Sequence, residues 1–364
     1  MYSTITLDDI GQDVNLKTMS YLDAIQNRNL GLTSKYHYHK FRSKKHLLNI
    51  SKISLNEYGR YRSDGANKVD ILGSLKHMRN LIKLDASFFN IHNQSDCTLL
   101  VESFPYLRHL RVLDLSRNEI LPNGGEIIAQ NLRYLPNLVE LNIYENEDLN
   151  EGCLAIAQHL HHLPKLRVLN IDETISVGTD YLFQEITKCF ERWPKTLHSL
   201  HIGNNYRICP VSLAENIHHL SNLRKLSLRE LSLTDLVIDN LDSLGHLIEL
   251  DLTQSNLSLL IDSLIRYFRN NGRQLQILKV EFCELWPTQM KRFVEHLHLL
   301  PHLTKLNISG NHINDEICQI IIDQLDNIYD LKYLYMQAND EEIDRRTIIQ
   351  LRQKSRDRQI QLFL

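Results

Sequence analysis

No stretch of about 18 consecutive apolar residues, the length a membrane-spanning helix requires, occurs in this chain of 364 residues; the longest candidate, Ile317 to Leu325, is broken by Gln319, Asp323 and Gln324. The first thirty residues hold no apolar core of secretory type, because Asp8, Asp9, Asp13 and Lys17 interrupt it, so Sec-type export is not expected. The six cysteines (Cys97, Cys153, Cys189, Cys209, Cys283, Cys318) form no CxxC pair and no short metal spacing. They read as free thiols of a reducing compartment, which places the protein in a cytoplasm. Charge of one sign is lacking too. With 41 Lys+Arg against 44 Asp+Glu the net charge is −3, which excludes a global attraction to polyanions, so neither nucleic acid nor a membrane surface is an expected partner.

Signatures of catalysis are missing as well. There is no Gly-rich phosphate loop, GxSxG elbow or HExxH, and Gly124-Gly125 is a lone pair at a helix start. No catalytic residue and no cofactor is expected. Eight of the 18 histidines gather at His159/His161/His162, His218/His219 and His296/His298/His302, at equivalent places near helix ends, where the macrodipole favours them. Duplication explains these sets, and no metal site is expected because a tetrahedral set of ligands does not converge. Cys153, Cys189 and Cys318 fall in helical runs and read as core.

What the chain does contain is a repeat. The phrase LxxLxLxxN begins at Ile50, Leu81, Leu110, Leu138, Leu166, Leu197, Leu223, Leu247, Leu275, Leu303 and Leu331, eleven copies at steps of 24 to 31 residues. Its cleanest forms run from Leu110 to Asn118 and from Leu303 to Asn311. Phrase positions four and six alternate as in a short strand with those two side chains inward. The second half of each copy has helical spacing, as at Ile127, Ile128, Leu132 and Leu135. Asn123 three residues before Glu126 suggests a capping box, and Asn314 precedes Asp315 and Glu316 in a first turn. Pro136, Pro164 and Pro301 mark helix ends. The short steps of 26 and 24 residues into Leu223 and Leu247 predict shortened or 3₁₀ helices. Asn at position nine (Asn118, Asn146, Asn205, Asn311, Asn339) is expected to bond turn backbone between neighbouring repeats. Thr174, Leu231, Ser255 and Cys283 in its place predict a weaker ladder.

This pattern resembles the leucine-rich-repeat family, and its 28-residue copies look like the ribonuclease-inhibitor subclass. The resemblance implies an α/β solenoid bent into a horseshoe over residues 50–364, with parallel strands on the concave face and helices on the convex face. Residues 1–49 have a different texture and are expected to form a small helical module, either a cap over the first repeat or an F-box. The segment from Asp13 to Lys35 resembles an F-box, which implies contact of Leu16, Tyr21, Leu22, Leu30 and Leu32 with a Skp-type adaptor of a cullin ubiquitin ligase. Gly11 and Gln12 stand where the usual Leu-Pro opening would be.

Phrase positions three, five, seven and eight should face the concave side. They carry seven basic against eleven acidic residues, and in three neighbouring repeats Asp114, Glu140, Glu145, Asp172 and Glu173 oppose Arg117 alone. A basic protein partner suits such a patch. The aromatics Phe88, Tyr144, Phe282, Tyr333 and Tyr335, together with Arg117 and Arg229, complete the expected binding surface. Tyr144 with Glu140, Asp172 and Glu173 is its expected centre. The whole resembles leucine-rich-repeat effectors of intracellular bacterial pathogens, which implies a monomeric, non-enzymatic scaffold that binds a protein, with an inhibitor of a partner enzyme as the alternative.

Overall fold

Three residues of each phrase, positions three to five, form a strand, and the computed structural model places one at every one of the eleven phrase starts. It describes residues 51–55, 65–176, 180–205, 210–339 and 343–364. The N-terminal module, with Leu16, Tyr21, Leu22, Leu30 and Leu32, lies outside the described residues, as does Cys209. The chain divides into two compact units, Met1–Leu182 with Arg192–Leu197 and Phe183–Glu191 with His198–Leu364. In the first, β1 (Lys52–Ser54), β2 (Lys83–Asp85), β3 (Val112–Asp114), β4 (Glu140–Asn142) and β5 (Val168–Asn170) alternate with α1 (Gly65–Ser74), α2 (Gln94–Val101), α3 (Pro122–Asn131) and α4 (Glu151–His159). After α5 (Asp180–Lys188), the second unit carries β6 (Ser199–His201), α6 (Pro210–Asn216), β7 (Lys225–Ser227), α7 (Asp235–Asn240), β8 (Glu249–Asp251) and α8 (Ile261–Asn271). It continues with β9 (Ile277–Lys279), α9 (Pro287–Glu295), β10 (Lys305–Asn307), α10 (Asp315–Gln324), β11 (Tyr333–Tyr335), α11 (Arg345–Asp357) and β12 (Gln361–Phe363).

Within each unit consecutive strands pair in parallel and in identical register, so Leu84, Leu113, Leu141 and Leu169 lie side by side in one unit and Leu200 to Leu334 in the other. These position-four leucines are buried, as are the leucines of position one and the aliphatic residues of position six. Three apolar rows per strand therefore form the core against which the helices pack. The twelfth strand, β12, is one more than the phrase count: Ile360 to Phe363 carries no LxxLxLxxN spacing, yet it pairs with β11 and covers that strand's open edge.

The turn after each strand is the most constrained part of the repeat. Position eight takes a left-handed conformation in ten successive repeats, with φ between 50° and 63°, at Phe88, Arg117, Glu145, Glu173, Asn204, Glu230, Gln254, Phe282, Gly310 and Ala338. Only one of the ten is glycine. Each of the others accepts a conformation disfavoured by about 1–2 kcal/mol, so the neighbouring repeats must hold it. They do so through position nine. Asn146 Nδ2 donates to the carbonyls of Leu115 (3.1 Å) and Ile143 (2.7 Å), while its Oδ1 accepts from the N–H groups of Asn118 (3.3 Å) and Ile120 (3.0 Å). Asn311 does the same with Val280 and Ile308 on one side and Cys283 and Leu285 on the other.

The substitutes at this position hold the ladder better than the sequence suggests. Ser255 Oγ donates to Leu228 O and accepts from Leu231 N–H, Thr174 Oγ1 donates to Ile171 O, and the Cys283 thiol donates to Leu252 O. A hydroxyl or thiol at this place still reaches a carbonyl of its own or the preceding repeat. Only Leu231 brings no polar group.

Helix boundaries follow the repeat lengths. The short steps produce the two shortest described helices, α6 with seven residues and α7 with six, each continued by a 3₁₀ turn. A 3₁₀ turn follows nearly every other helix as well, for instance Leu132–Tyr134 after α3, so the α-helices stop before Pro136 and its equivalents rather than at them. Asn314 caps α10, accepting from Ile317 N–H at 3.1 Å. The expected capping box at Asn123 is not formed: α3 starts two residues earlier than that cap implies, at Pro122 with Leu121 as N-cap, because proline is favoured at the first helical position.

Removing one rung of the ladder should open two repeats locally. We expect Asn146→Ala to lower stability by about 2–4 kcal/mol, since several buried backbone groups lose partners. It should also accelerate amide exchange at Asn118 and Ile120. Unchanged protection at both amides, measured by hydrogen exchange, would show that Asn146 is not their partner.

Candidate protein-binding face

Position five of each phrase carries Asp or Asn in most repeats, and its side chain turns back on its own strand. Asp114 Oδ1 accepts from the N–H (3.0 Å) and hydroxyl (2.6 Å) of Ser116; Asp85 does so with Ser87 and Asp251 with Thr253. Asn142, Asn170 and Asn307 accept the same backbone bond from Tyr144, Asp172 and Ser309. These are Asx turns that end the strand. Asp85, Asp114 and Asp251 are consequently buried, which removes three carboxylates that the sequence places on the open face. Asp172 is buried too.

What the first unit does present there is an aromatic and cationic cluster on the turns after β2, β3 and β4. The Arg117 guanidinium carbon lies 4.8 Å from the Phe88 ring centre and 5.4 Å from that of Tyr144. Its Nε is 2.6 Å from Glu145 Oε2, with both side chains about one-third exposed. Both rings are half-buried. The left-handed backbone at Phe88, Arg117 and Glu145 aims these side chains across neighbouring repeats, and Arg117 N–H donates to Tyr144 O at 2.8 Å. Burial raises the Tyr144 phenol above its ordinary range, against the hydrogen bond from Arg117, and the charges of Glu173 and Glu145 add to the rise.

The expected centre of Tyr144, Glu140, Asp172 and Glu173 is therefore divided. Glu173 stays close enough to act on Tyr144, while Glu140 sits toward the other end of its strand. Burial pushes the Glu140 carboxyl up, Lys83 opposes that, and Asp114 reinforces it. Strand register explains the separation, because Glu140 occupies position three and Tyr144 position seven. Glu145, which pairs with Arg117, is the member that the expected centre omitted.

In the second unit the same face carries ion pairs. Lys279 Nζ lies 2.9 Å from Asp251 and 3.5 Å from Glu249, and Lys225 lies 3.0 Å from Glu249. Burial alone would raise both carboxyls; Lys225 and Lys279 outweigh it at Glu249, and Lys279 with the Thr253 hydroxyl outweighs it at Asp251, so both stay below their usual ranges. Burial lowers His201 against the pull of Glu249. Phe282 is 49% exposed and Tyr333 39%; Phe282 lies over Gly310, where an added Cβ would meet its ring. Arg229 is half-buried and its Nε is enclosed without a hydrogen-bond partner. Lys305 stands 4.8 Å over the Tyr335 ring, which stacks on Phe363 at 4.3 Å. Tyr335 thus joins the terminal strand.

Away from this face, Trp286 is 55% exposed and stacks on His312 at 4.1 Å. It stands outside the repeated phrase, although a Trp before the helix-opening Pro287 is a legible signal. The described cysteines are all buried. Burial, with Asp96 beside one and Asp315 beside the other, pushes the Cys97 and Cys318 thiols up to about 12, far from the thiolate a nucleophile needs. The histidine sets bond helix carbonyls, His159 to Ala155 and His296 to Arg292, each at 2.8 Å. Among the described residues no group of three His, Cys, Asp or Glu is placed to hold a metal.

The carboxylates around Lys279 depend on it. Because their folded-state pKa values are depressed, their contribution is full above the unfolded values and is lost as pH falls through the folded ones. Lys279→Met should cost roughly 2 kcal/mol at pH 7 by leaving Asp251 without its cation and Glu249 with Lys225 alone, and the deficit should narrow below about pH 4 as they protonate. Urea unfolding at pH 7 and pH 3 checks this; a deficit that is equal at both would mean the pairing contributes nothing.

Residues 106–129 and 300–319 match the family model described as Leucine Rich repeat. No curated protein matches the sequence. Among solved structures, the chain is similar to an internalin from Listeria monocytogenes, with 18% sequence identity, a TM-score of 0.51 and 88% of each chain covered. At that identity the likeness is one of fold. With the parallel strands and the position-nine ladder it gives this chain the fold of a leucine-rich-repeat solenoid.

Proposed function

We propose that this chain is a non-enzymatic scaffold that binds a partner protein on the strand face of its first unit, with Phe88, Arg117 and Tyr144 at the centre and Glu145 and Glu173 beside them. The single observation that carries this reading is the Arg117 guanidinium held against two half-buried aromatic rings, on backbone already fixed in the left-handed conformation. Such a cluster gives up little entropy on binding, and Tyr and Arg are the residues most enriched at binding hot spots. Buried, high-pKa thiols support a role without chemistry. Phe282, Tyr333, Tyr335 and Arg229, on different repeats of the other unit, are further candidate contacts. The 28-residue copies favour the ribonuclease-inhibitor subclass, and inhibition of a partner enzyme is a form this scaffold role takes. The abundance of Asn, Ile and Lys over Gly and Ala supports an AT-rich genome and a bacterial effector acting in host cytosol.

Affinity purification from host-type cytosol with the wild type and with Arg117→Ala/Tyr144→Ala tests the surface. Loss of about 2 kcal/mol or more per hot-spot residue should remove from the double variant a protein that the wild type retains. Equal recovery by both would place the interaction elsewhere.

A second reading rests on the F-box resemblance of residues 13–35, which lie outside the described residues. In it, Leu16, Tyr21, Leu22, Leu30 and Leu32 dock a Skp-type adaptor and the repeats select a substrate. Leu22→Asp should then abolish co-purification of the adaptor, because an unpaired charge in an apolar contact costs several kcal/mol, while the strand face keeps its partner. Wild type that never captures the adaptor would reduce the segment to a cap.

A further inference from the structure

The near-neutral total charge conceals a strong segregation. In the first unit, the segments that run from the end of each helix into the next strand are 75–82, 104–111, 132–139, 160–167 and 192–197. The first four contain seven Lys or Arg and no Asp or Glu; the fifth adds Arg192 and Lys195 and is directly preceded by Glu191. The corresponding segments of the second unit, 217–224, 241–248, 269–276, 297–304 and 325–332, contain four Lys or Arg and three Asp or Glu. The repeat therefore does not need cations at these places, since 241–248 and 297–304 build the same turn with no Lys or Arg.

These segments lie side by side. Arg111 N–H donates to Ile82 O, Val139 N–H to Arg111 O and Arg167 N–H to Val139 O, each at 2.7–2.8 Å, and Thr196 Oγ1 donates to Leu166 O at 2.6 Å. Asn137 bridges two of them, donating to Arg108 O and accepting from Lys165 Nζ. Lys76, Arg79, Arg108, Arg111, Arg133 and Arg167 are all exposed. Among the described residues none of these six pairs with a carboxylate. Some cations on the helices of the second unit do pair: Arg266 with Asp239, Lys291 with Glu316, Lys354 with Asp326 and Arg292 with Asp262. A row of unpaired like charges, one repeat apart, is self-repelling and costs stability. Two exposed tyrosines stand within the row. Tyr106 is 45% exposed with Arg79 6.0 Å over its ring, and Tyr134 is 37% exposed with Arg133 at 5.0 Å.

We propose that this turn edge of the first unit binds single-stranded nucleic acid, with the arginines and lysines tracking successive phosphates and Tyr106 and Tyr134 offering faces on which bases stack. A positively charged track with interleaved aromatics is the composition that such strands require. A membrane surface is less well served, because the edge lacks an exposed Trp, Phe or Leu to insert and offers only Ile82, 40% exposed. The site is separate from the strand-face cluster, and its occupation does not depend on Arg117 or Tyr144.

The test uses the full chain and a fluorescein-labelled 20-nucleotide oligo(U), with oligo(dT) as a second arm, read by anisotropy. Both should bind at 50 mM NaCl. With about five phosphates contacted, the single-strand salt slope predicts a loss of about 100-fold by 200 mM. Equal binding of both probes assigns recognition to phosphate and base faces; tighter RNA binding adds the 2′-hydroxyl. Arg79→Glu/Arg108→Glu/Arg133→Glu/Arg167→Glu should abolish binding, and the milder Gln versions should weaken it at least tenfold with the fold intact by circular dichroism. Tyr106→Ala/Tyr134→Ala should cost about 30-fold or more. Arg269→Glu/Arg273→Glu on the other unit, and Arg117→Ala, should bind like wild type. No binding at 50 mM, equal binding by the Gln variant, or capture only by phosphatidylserine vesicles or polyglutamate would overturn the proposal.

Discussion

A repeat of this chain cannot satisfy its own backbone. The strand is three residues long, the turn after it bends through a left-handed residue, and the polar groups of that turn are buried between copies. The position-nine side chain resolves this by tying its own repeat to the preceding one, donating to carbonyls of both and accepting from N–H groups of the preceding repeat. Asn does so most completely because one amide carries both functions; Ser255, Thr174 and Cys283 supply part of the same service. Everything else in the fold, including the identical register of successive strands, follows from that shared rung. Hence the strain of nine non-glycine residues at position eight is tolerated: the surroundings over-determine each turn.

The same economy governs the acidic residues. Asp at position five is spent on closing its own strand, and the carboxylates around Lys279 are held by lysines on adjoining strands. The open face is therefore much less acidic than the phrase positions imply. What it offers instead is the Phe88, Arg117 and Tyr144 cluster, where the cation lies against aromatic rings and keeps a single carboxylate at hydrogen-bond distance. Among the described residues, six exposed Lys and Arg along the turn edge of the first unit have no carboxylate partner, so the molecule separates a mixed aromatic and charged face from a cationic edge although its total charge is close to zero.

Several features were not legible in one dimension. The Asn123–Glu126 pairing was outcompeted by Pro122, whose fixed φ starts the helix two residues early. Residue types on the strand face were legible, but not which of them remain exposed: an Asp two residues before a Ser or Thr reads as a surface acid until the Asx turn is seen. Glu140 and Tyr144 are near in sequence yet stand at opposite ends of a strand, whereas Glu145 reaches Arg117 from the next repeat.

By itself the sequence determined the repeat, its eleven strand positions, the buried rows and the shortened sixth and seventh helices, because each is a matter of periodicity and of residue count between fixed apolar positions. It also determined that position nine would carry the inter-repeat bonds, since an amide is needed wherever donors and acceptors are buried together. Tertiary structure decided the twelfth strand, which β11's unpaired edge recruits without a motif. It decided too the burial of Asp85, Asp114 and Asp172, the company kept by Arg117, and the alignment of distant basic turns into one row. Those depend on which side chains neighbouring repeats bring together, and spacing along one chain does not contain that information.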